Sequence, residues 1–310
     1  MPVASAALAL WEGELLMSLR VKGALIYVSL ILFFYGLSFR WPWLFSLLLL
    51  FVLLQSGREW SVLAKKSERF SFPLMVQGLA FLLPLYFGLA EGPSGAAALP
   101  GPERTANTAQ LLLLFLAWQF LAAAGSLFSA LFKKGPQVLA EKQGEACFSF
   151  VLSLALFSAN ILIFILPHGL YWLGLALATP WVCDSLAYLW GSRMGRHKLI
   201  PTVSPHKTVE GMLAGLLGTV LFYLLLGPCF GRFLPQTELP TPVMLGILGF
   251  LASLAGQLGD LYESALKRVA GVKDSGNLIP GHGGLLDRID STLFVLPLFF
   301  FFLFAIELLF

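Results

Sequence analysis

Charge is what this chain has least of. Only 12% of its 310 residues are Asp, Glu, Lys or Arg, against about 25% in an ordinary soluble domain. With 58% hydrophobic residues and a mean hydropathy of +0.82, that shortage excludes a soluble globular domain and points to an integral membrane protein. The net charge of +3 carries no nucleic-acid signal, and no nucleic-acid partner is expected. Cysteine is scarce too. Cys147, Cys183 and Cys229 are odd in number and lie in or beside apolar runs, which argues against a disulfide framework and for small buried hydrophobes. A secretory signal is also missing: the apolar stretch Val3 to Trp11 is short, has no basic residue before it and runs into Glu12 and Glu14. Residues 1–22 read as an interfacial helix or a tail. No internal repeat and no Ser-His-Asp or Cys-His arrangement is apparent.

What the chain has in abundance is apolar runs near the ~20 residues that a bilayer requires. Nine spans are expected, at Gly23–Phe39, Trp41–Leu54, Leu74–Ala90, Gln110–Phe132, Ala146–Leu166, Leu170–Leu189, Val209–Leu226, Val243–Leu258 and Thr292–Phe310. Arg40-Trp41-Pro42 makes the first two a helical hairpin, and Leu166-Pro167-His168-Gly169 divides one long run in two. With the N-terminus in the cytoplasm, every Lys and Arg except Arg40, Arg104 and Arg232 falls on the cytoplasmic side, as the positive-inside rule requires. The outside segments Glu91–Thr108 and Pro228–Pro242 read as passive connectors. The fold class is therefore all-α and polytopic, with residues 1–145 as scaffold spans and 146–310 as the catalytic membrane region.

One polar stretch stands out, Gly259 to Asp290, between two apolar runs. It carries Asp260, Glu263, Asp274, Asp287 and Asp290 interleaved with Lys267, Arg268, Lys273 and Arg288. Carboxylates suit a hard divalent cation; Lys and Arg suit phosphate oxygens. If the preceding helix continues through Val269, Asp260, Ser264 and Lys267 share one face. Gly271 then ends the helix, and Ser275-Gly276-Asn277 and Pro280–Gly284 read as turns. Glycines around His282 (Gly281, Gly283, Gly284) would let backbone approach a ligand. Asp287 and Asp290, at i and i+3, would share a face at the start of the last helix, where Asp287 could meet Asp260. Among the alternatives, Asp260 and Asp287 could be ion pairs with Lys267 or Arg288, Glu263 could pair with Lys267, and His282 could be a turn residue. Glu59, Lys65 and Lys66 read as a solvated face.

These residues carry a resemblance. Ser264, Lys267-Arg268, Lys273-Asp274, Gly276, Ile279-Pro280, His282-Gly283-Gly284 and Asp287-Arg288-Ile289-Asp290 resemble the complete signature of the phosphatidate cytidylyltransferases, or CDP-diacylglycerol synthases. A second cluster extends the likeness: Asp184-Ser185, Gly191, Gly195, Lys198 and Ser204-Pro205-His206-Lys207-Thr208-Val209-Glu210-Gly211. Asp184 is an acid within an apolar helix, where function is the default hypothesis; pairing with a nearby Lys or Arg is the alternative. Ser204 or Thr208 can cap the next helix, whose N-terminus, beside Lys207, suits phosphate.

The resemblance implies transfer of the cytidylyl group of CTP to phosphatidic acid, giving CDP-diacylglycerol and pyrophosphate. It implies Mg²⁺, with K⁺ as a second cation in some members, and a homodimer. Asp260, Asp287 and Asp290 would hold metal. Ser264, Lys267 and Arg268 would act with them on the reacting groups. Asp184, Ser204, Lys207, Lys273, Asp274, His282, Gly283, Gly284 and Arg288 would form the nucleotide and phosphate site. The expected location is a bacterial-type plasma membrane, with the site at the cytoplasmic face. A CTP-dependent lipid-alcohol kinase of related fold and a secondary transporter are the competing classes.

Overall fold

The computed structural model describes residues 21–22, 25–63, 79–84, 101–134, 139–234, 240–279 and 283–309. The helices are α1 (Leu25–Ser38), α2 (Trp43–Leu63), α3 (Gly101–Lys134), α4 (Leu139–Phe164), α5 (Gly169–Met194), α6 (Val209–Leu225), α7 (Gly227–Phe230), α8 (Thr241–Ala270), α9 (Leu286–Ile289) and α10 (Thr292–Leu309). Between α5 and α6 lies one antiparallel hairpin, β1 (Lys198–Ile200) with β2 (Ser204–Thr208), in which Ile200 faces Ser204 and Lys198 faces Thr208. The protein is all-α apart from this hairpin.

Among the described residues, four helical segments are long and apolar enough to cross a membrane: Pro102–Ala124, Ala146–Phe164, Thr241–Ala270 and Thr292–Leu309. Val209–Leu225 and Gly227–Phe233, bent by 52° at a short break, reach that length and apolarity only when taken together. This is a membrane protein. The expected span Leu74–Ala90 lies almost wholly outside the described residues, apart from Leu79–Pro84.

The chain forms two compact units, Met1–Phe70 with Leu266–Ile289, and Ser71–Ala265 with Asp290–Phe310. In the first, the turn after α1 is tight: Trp41 donates its N–H to Leu37 O (2.8 Å) and Leu44 donates to Trp41 O (3.1 Å). The helix of the second expected span continues nine residues beyond Leu54, to Leu63. Within it, Gln55 Nε2 donates to Glu59 Oε1 (2.9 Å) and Ser61 Oγ to Gly57 O (2.9 Å).

In the second unit α4 is the central helix. Phe157, fully buried, stacks on Phe115 of α3 at 4.4 Å and meets Phe300 of α10 edge-on at 6.1 Å. Lipid tails are as apolar as these side chains, so close packing rather than water exclusion holds such helices together. The α5–α6 pair shows this best. A Cβ on Gly215 would lie 2.9 Å from Cys183 O, and one on Gly211 would lie 2.8 Å from Ala187 O, so the Gly211-xxx-Gly215 spacing lets two backbones touch. Thr179 Oγ1 and Tyr223 OH, 2.6 Å apart, pair across the same interface.

Two connectors prove less passive than expected. Residues 101–108 are already helix, and Arg104 forms an ion pair with Glu307, joining the start of α3 to the end of α10. Phe230 and Phe233 pack on Trp172 and Tyr171 at the start of α5, at 5.5 and 4.9 Å. Cys183 is buried as expected, but Cys147 and Cys229 are exposed, because their helices turn those faces outward.

Candidate active site

In the larger unit, α5, the β-hairpin, α6 and α8 enclose a cavity of about 610 Å³. Its lining includes Asp184, Tyr188, Lys198, His206, Lys207 and Asp260. Thr208 builds its floor. Its hydroxyl caps α6 by accepting from Gly211 N (3.1 Å), and a Cβ on Gly191 or Gly195 would crowd that hydroxyl at 2.9 or 2.7 Å. The glycines of this segment thus serve helix packing. Ser204 starts β2 opposite Ile200, while its neighbours His206, Lys207 and Thr208 line the cavity. Two N–H groups at the start of α6 already have partners, Val209 N with His197 O (2.9 Å) and Gly211 N with Thr208 Oγ1 (3.1 Å), and Lys207 beside them lines the cavity.

Helix α8 runs through Ala270, so Asp260 and Ser264 do lie one turn apart, with Ser264 Oγ donating to Asp260 Oδ1 at 3.3 Å. Asp260 Oδ2 accepts from Lys207 in an ion pair. Glu263 is buried. Gly259 earlier in the helix has no room for a side chain, because a Cβ would come within 2.5 Å of Asp290 O.

In the smaller unit α8 ends as its sequence foretold. Gly271 takes φ +75°, its N–H bonds to Arg268 O (3.1 Å) and the Val272 N–H to Lys267 O (3.0 Å), the paired closure of a left-handed C-terminal cap. Lys273 and Asp274 are exposed. The turn that follows folds onto Asp287. Its Oδ2 accepts from Ser275 N (2.9 Å), Ser275 Oγ (3.0 Å) and Gly284 N (2.7 Å), and its Oδ1 accepts from Lys267 Nζ (2.6 Å). Lys267 therefore pairs with Asp287, and both side chains are nearly buried, at 11% and 3% exposed. Arg268 is half-exposed, with Nη1 3.4 Å from Val272 O. Buried Arg288 Nε has no hydrogen-bond partner among the described residues, which suits a guanidinium awaiting an anion.

The profile of the cytidylyltransferase family matches residues 20–306. The chain belongs to this family. Among similar proteins, a phosphatidate cytidylyltransferase of Staphylococcus aureus (strain COL) is 47% identical over 131 residues, 42% of this chain and 48% of that protein. One from Bacillus subtilis (strain 168) is 48% identical over 136 residues, 44% of this chain and 48% of that protein. The chain spans about half the length of the curated relatives it matches.

Three readings of the sequence change in the structure. Asp287 and Asp290 do not share a helix: α9 ends at Ile289, and Asp290 sits in the turn before α10, its Oδ1 accepting from Ser291 N (2.6 Å). Glu59 is not a solvated residue but 3% exposed. Gly283 and Gly284 are required by the protein's own carboxylates. Gly283 has φ +81°, and a Cβ there would lie 2.6 Å from Asp287 Oδ2; one on Gly284 would lie 2.5 Å from Glu59 Oε2. Pro280, Gly281 and His282 lie outside the described residues.

A divalent cation fits the donors present. Asp260 offers only hard oxygen and already faces an ammonium group. Asp287 Oδ2 accepts two backbone N–H groups and shares the Ser275 hydroxyl with Glu59, which leaves Oδ1, beside Lys267, as its more available oxygen. No three His, Cys, Asp or Glu side chains group into a metal cage among the described residues. Carboxylate oxygens are the donor type of Mg²⁺, which is commonly held by one or two carboxylates plus substrate phosphates.

Burial pushes the Asp287 carboxyl up, but Lys267 and the N–H groups of Gly284 and Ser275 outweigh it and hold the group below its ordinary 3.8. A depressed carboxylate stabilises the fold above the unfolded-state value and loses that contribution as pH falls through the lower folded-state value. Melting of the metal-free protein should therefore be unchanged by this group from pH 7 to 5 and fall below about pH 4. The acid-induced fall should be smaller in Asp287→Asn, as melting curves across that range would record.

Proposed function

We propose that this protein transfers the cytidylyl group of CTP to phosphatidic acid, giving CDP-diacylglycerol and pyrophosphate. The observation that carries the reading is the 610 Å³ cavity in which Lys198, His206 and Lys207 stand beside Asp184 and Asp260. It has the volume of a small-molecule site and the mixed charge that a polyphosphate with a hard cation needs.

An oxygen of the lipid phosphate attacks the α-phosphorus of CTP, and the bond to the bridging oxygen of the β-phosphate breaks as pyrophosphate leaves. The attacking monoester is largely ionised near pH 7, with a second pKa of about 6, so no strong general base is needed. The work left to the protein is to bring two anions together in line and neutralise the charge on the departing group. Lys207 and Lys198 serve that role from the hairpin, and Lys267 and Arg288 from the turn around Asp287. Asp260 would offer its carboxylate to Mg²⁺ in the cavity, and Asp287 Oδ1 is the oxygen suited to a metal in the smaller unit. The metal, when bound, supplies Lewis-acid stabilisation of phosphoryl oxygens. Asp260 holds Lys207 in the cavity, and Ser264 fixes the Asp260 rotamer.

The site opens at the cytoplasmic face of the membrane, where CTP arrives from water and the diacylglycerol tails remain in the leaflet. Purified protein incubated with labelled CTP, phosphatidic acid and Mg²⁺ tests this. CDP-diacylglycerol and pyrophosphate are the expected products. CDP and a phosphorylated alcohol would establish a kinase instead.

A further inference from the structure

Glu59 is an acidic residue that the chemistry above does not use. It sits on α2, 3% exposed, and such burial of a carboxylate is costly unless its oxygens are fully hydrogen-bonded. They are. Oε1 accepts from Leu285 N (2.8 Å) and Gln55 Nε2 (2.9 Å), and Oε2 accepts from Leu286 N (2.8 Å) and Ser275 Oγ (2.9 Å). Leu285 N, Gln55 Nε2 and Leu286 N serve Glu59 alone, and the single proton of the Ser275 hydroxyl is shared between Oε2 and Asp287 Oδ2.

The placement of those donors matters more than their number. Ser275 is the entrance to the turn that carries Asp287, and Leu285 and Leu286 are its exit. One side chain therefore pins both ends of a twelve-residue segment. Ser275 Oγ also lies 3.0 Å from Asp287 Oδ2, so the two carboxylates converge on one hydroxyl. The turn is shaped around Glu59 as well. A Cβ on Gly276 would meet Glu59 Cγ at 3.1 Å, and one on Gly284 would meet Ser275 Oγ at 2.2 Å.

We propose that Glu59 is a positioning residue, which clamps the Ser275–Leu286 turn and thereby fixes the Asp287 carboxylate and its Lys267 partner for phosphate and metal. The activity arm of the test rests on the cytidylyl-transfer reading; the structural arm does not.

The substitution Glu59→Gln keeps the shape and turns an NH₂ group toward an N–H or O–H that needs an acceptor. In metal-free protein, amide hydrogen exchange in peptides covering residues 275–286 should speed up at least about tenfold, while peptides from Leu152–Leu162 of α4 stay protected. Turnover should fall about 100-fold, the scale of an ångström-level misplacement. The Mg²⁺ concentration for half-maximal rate should rise about tenfold, which a mere loss of folded protein would not produce. Wild-type exchange in 275–286 overturns the clamp. Faster exchange with unchanged turnover and Mg²⁺ dependence overturns the positioning role. Should Glu59→Gln not fold, Glu59→Asp keeps the charge at shorter reach; it should show faster exchange and turnover reduced about tenfold, and wild-type behaviour in it overturns the proposal equally. If the wild-type protein forms no CDP-diacylglycerol, the cytidylyl-transfer reading fails and the exchange data alone decide the clamp.

Discussion

Asp260→Asn should lower turnover on the order of 10³-fold and leave the protein folded. Asp260 is one of two acids lining the cavity, paired with Lys207 and accepting from Ser264. The amide that replaces it loses the charge that holds Lys207 and, in the proposed reaction, the oxygen that holds Mg²⁺. Removing one charge-stabilising group from a preorganised site costs about 10²–10³-fold, and loss of metal contact adds to that. Stability should barely change, because the pair is partly solvated, with side chains 30% and 22% exposed, and exposed pairs contribute only about 0–1 kcal/mol. Rates with labelled CTP and a melting curve on the same sample check both halves. Wild-type turnover in this variant would remove Asp260 from the metal site.

Asp287→Asn should do more, losing activity and stability together. Here the pair is buried, Lys267 at 11% and Asp287 at 3% exposed, and removing one partner of such a pair costs about 3–5 kcal/mol. The asparagine can keep one oxygen against Ser275 and Gly284, but its NH₂ then points at the Lys267 ammonium, donor against donor. Turnover should become undetectable against background. Denaturant unfolding should shift by about 3 kcal/mol, and exchange in residues 275–284 should rise. A variant that is inactive yet as stable as the wild type would show that Lys267 finds another partner. One that stays active would defeat the assignment of Asp287 to the reaction.

The two acids differ in how far the sequence exposes their roles. Asp260 and Ser264 are read correctly because helical periodicity relates them locally and Gly271 marks where that periodicity stops. The capping of α6 by Thr208 is legible for the same reason. The pairing of Asp287 with Lys267 is only one of two alternatives in the sequence, since a turn separates them. Glu59 is invisible: its partners Ser275, Leu285 and Leu286 lie 216 to 227 positions away, and nothing within α2 except Gln55 hints at burial. A missing Cβ at Gly283 and Gly284 reads the same whether a ligand or a carboxylate takes the space; here Asp287 and Glu59 lie against them. Helix ends were misplaced where polar residues continue an apolar helix, as at the start of α3 and the end of α2.

Helix α8 has 30 residues, about 45 Å at 1.5 Å per residue, against a hydrocarbon layer of about 30 Å. Its polar end from Asp260 onward amounts to roughly 16 Å, about the length by which the helix exceeds that layer. Bilayer thickness then acts on chemistry: long-chain lipids would draw the acid toward the tails, and short-chain lipids would lift it away from the substrate's phosphate. Reconstituted into vesicles of increasing acyl length, the protein should show a rate maximum at intermediate thickness, which makes hydrophobic mismatch a means of matching lipid synthesis to the membrane being built.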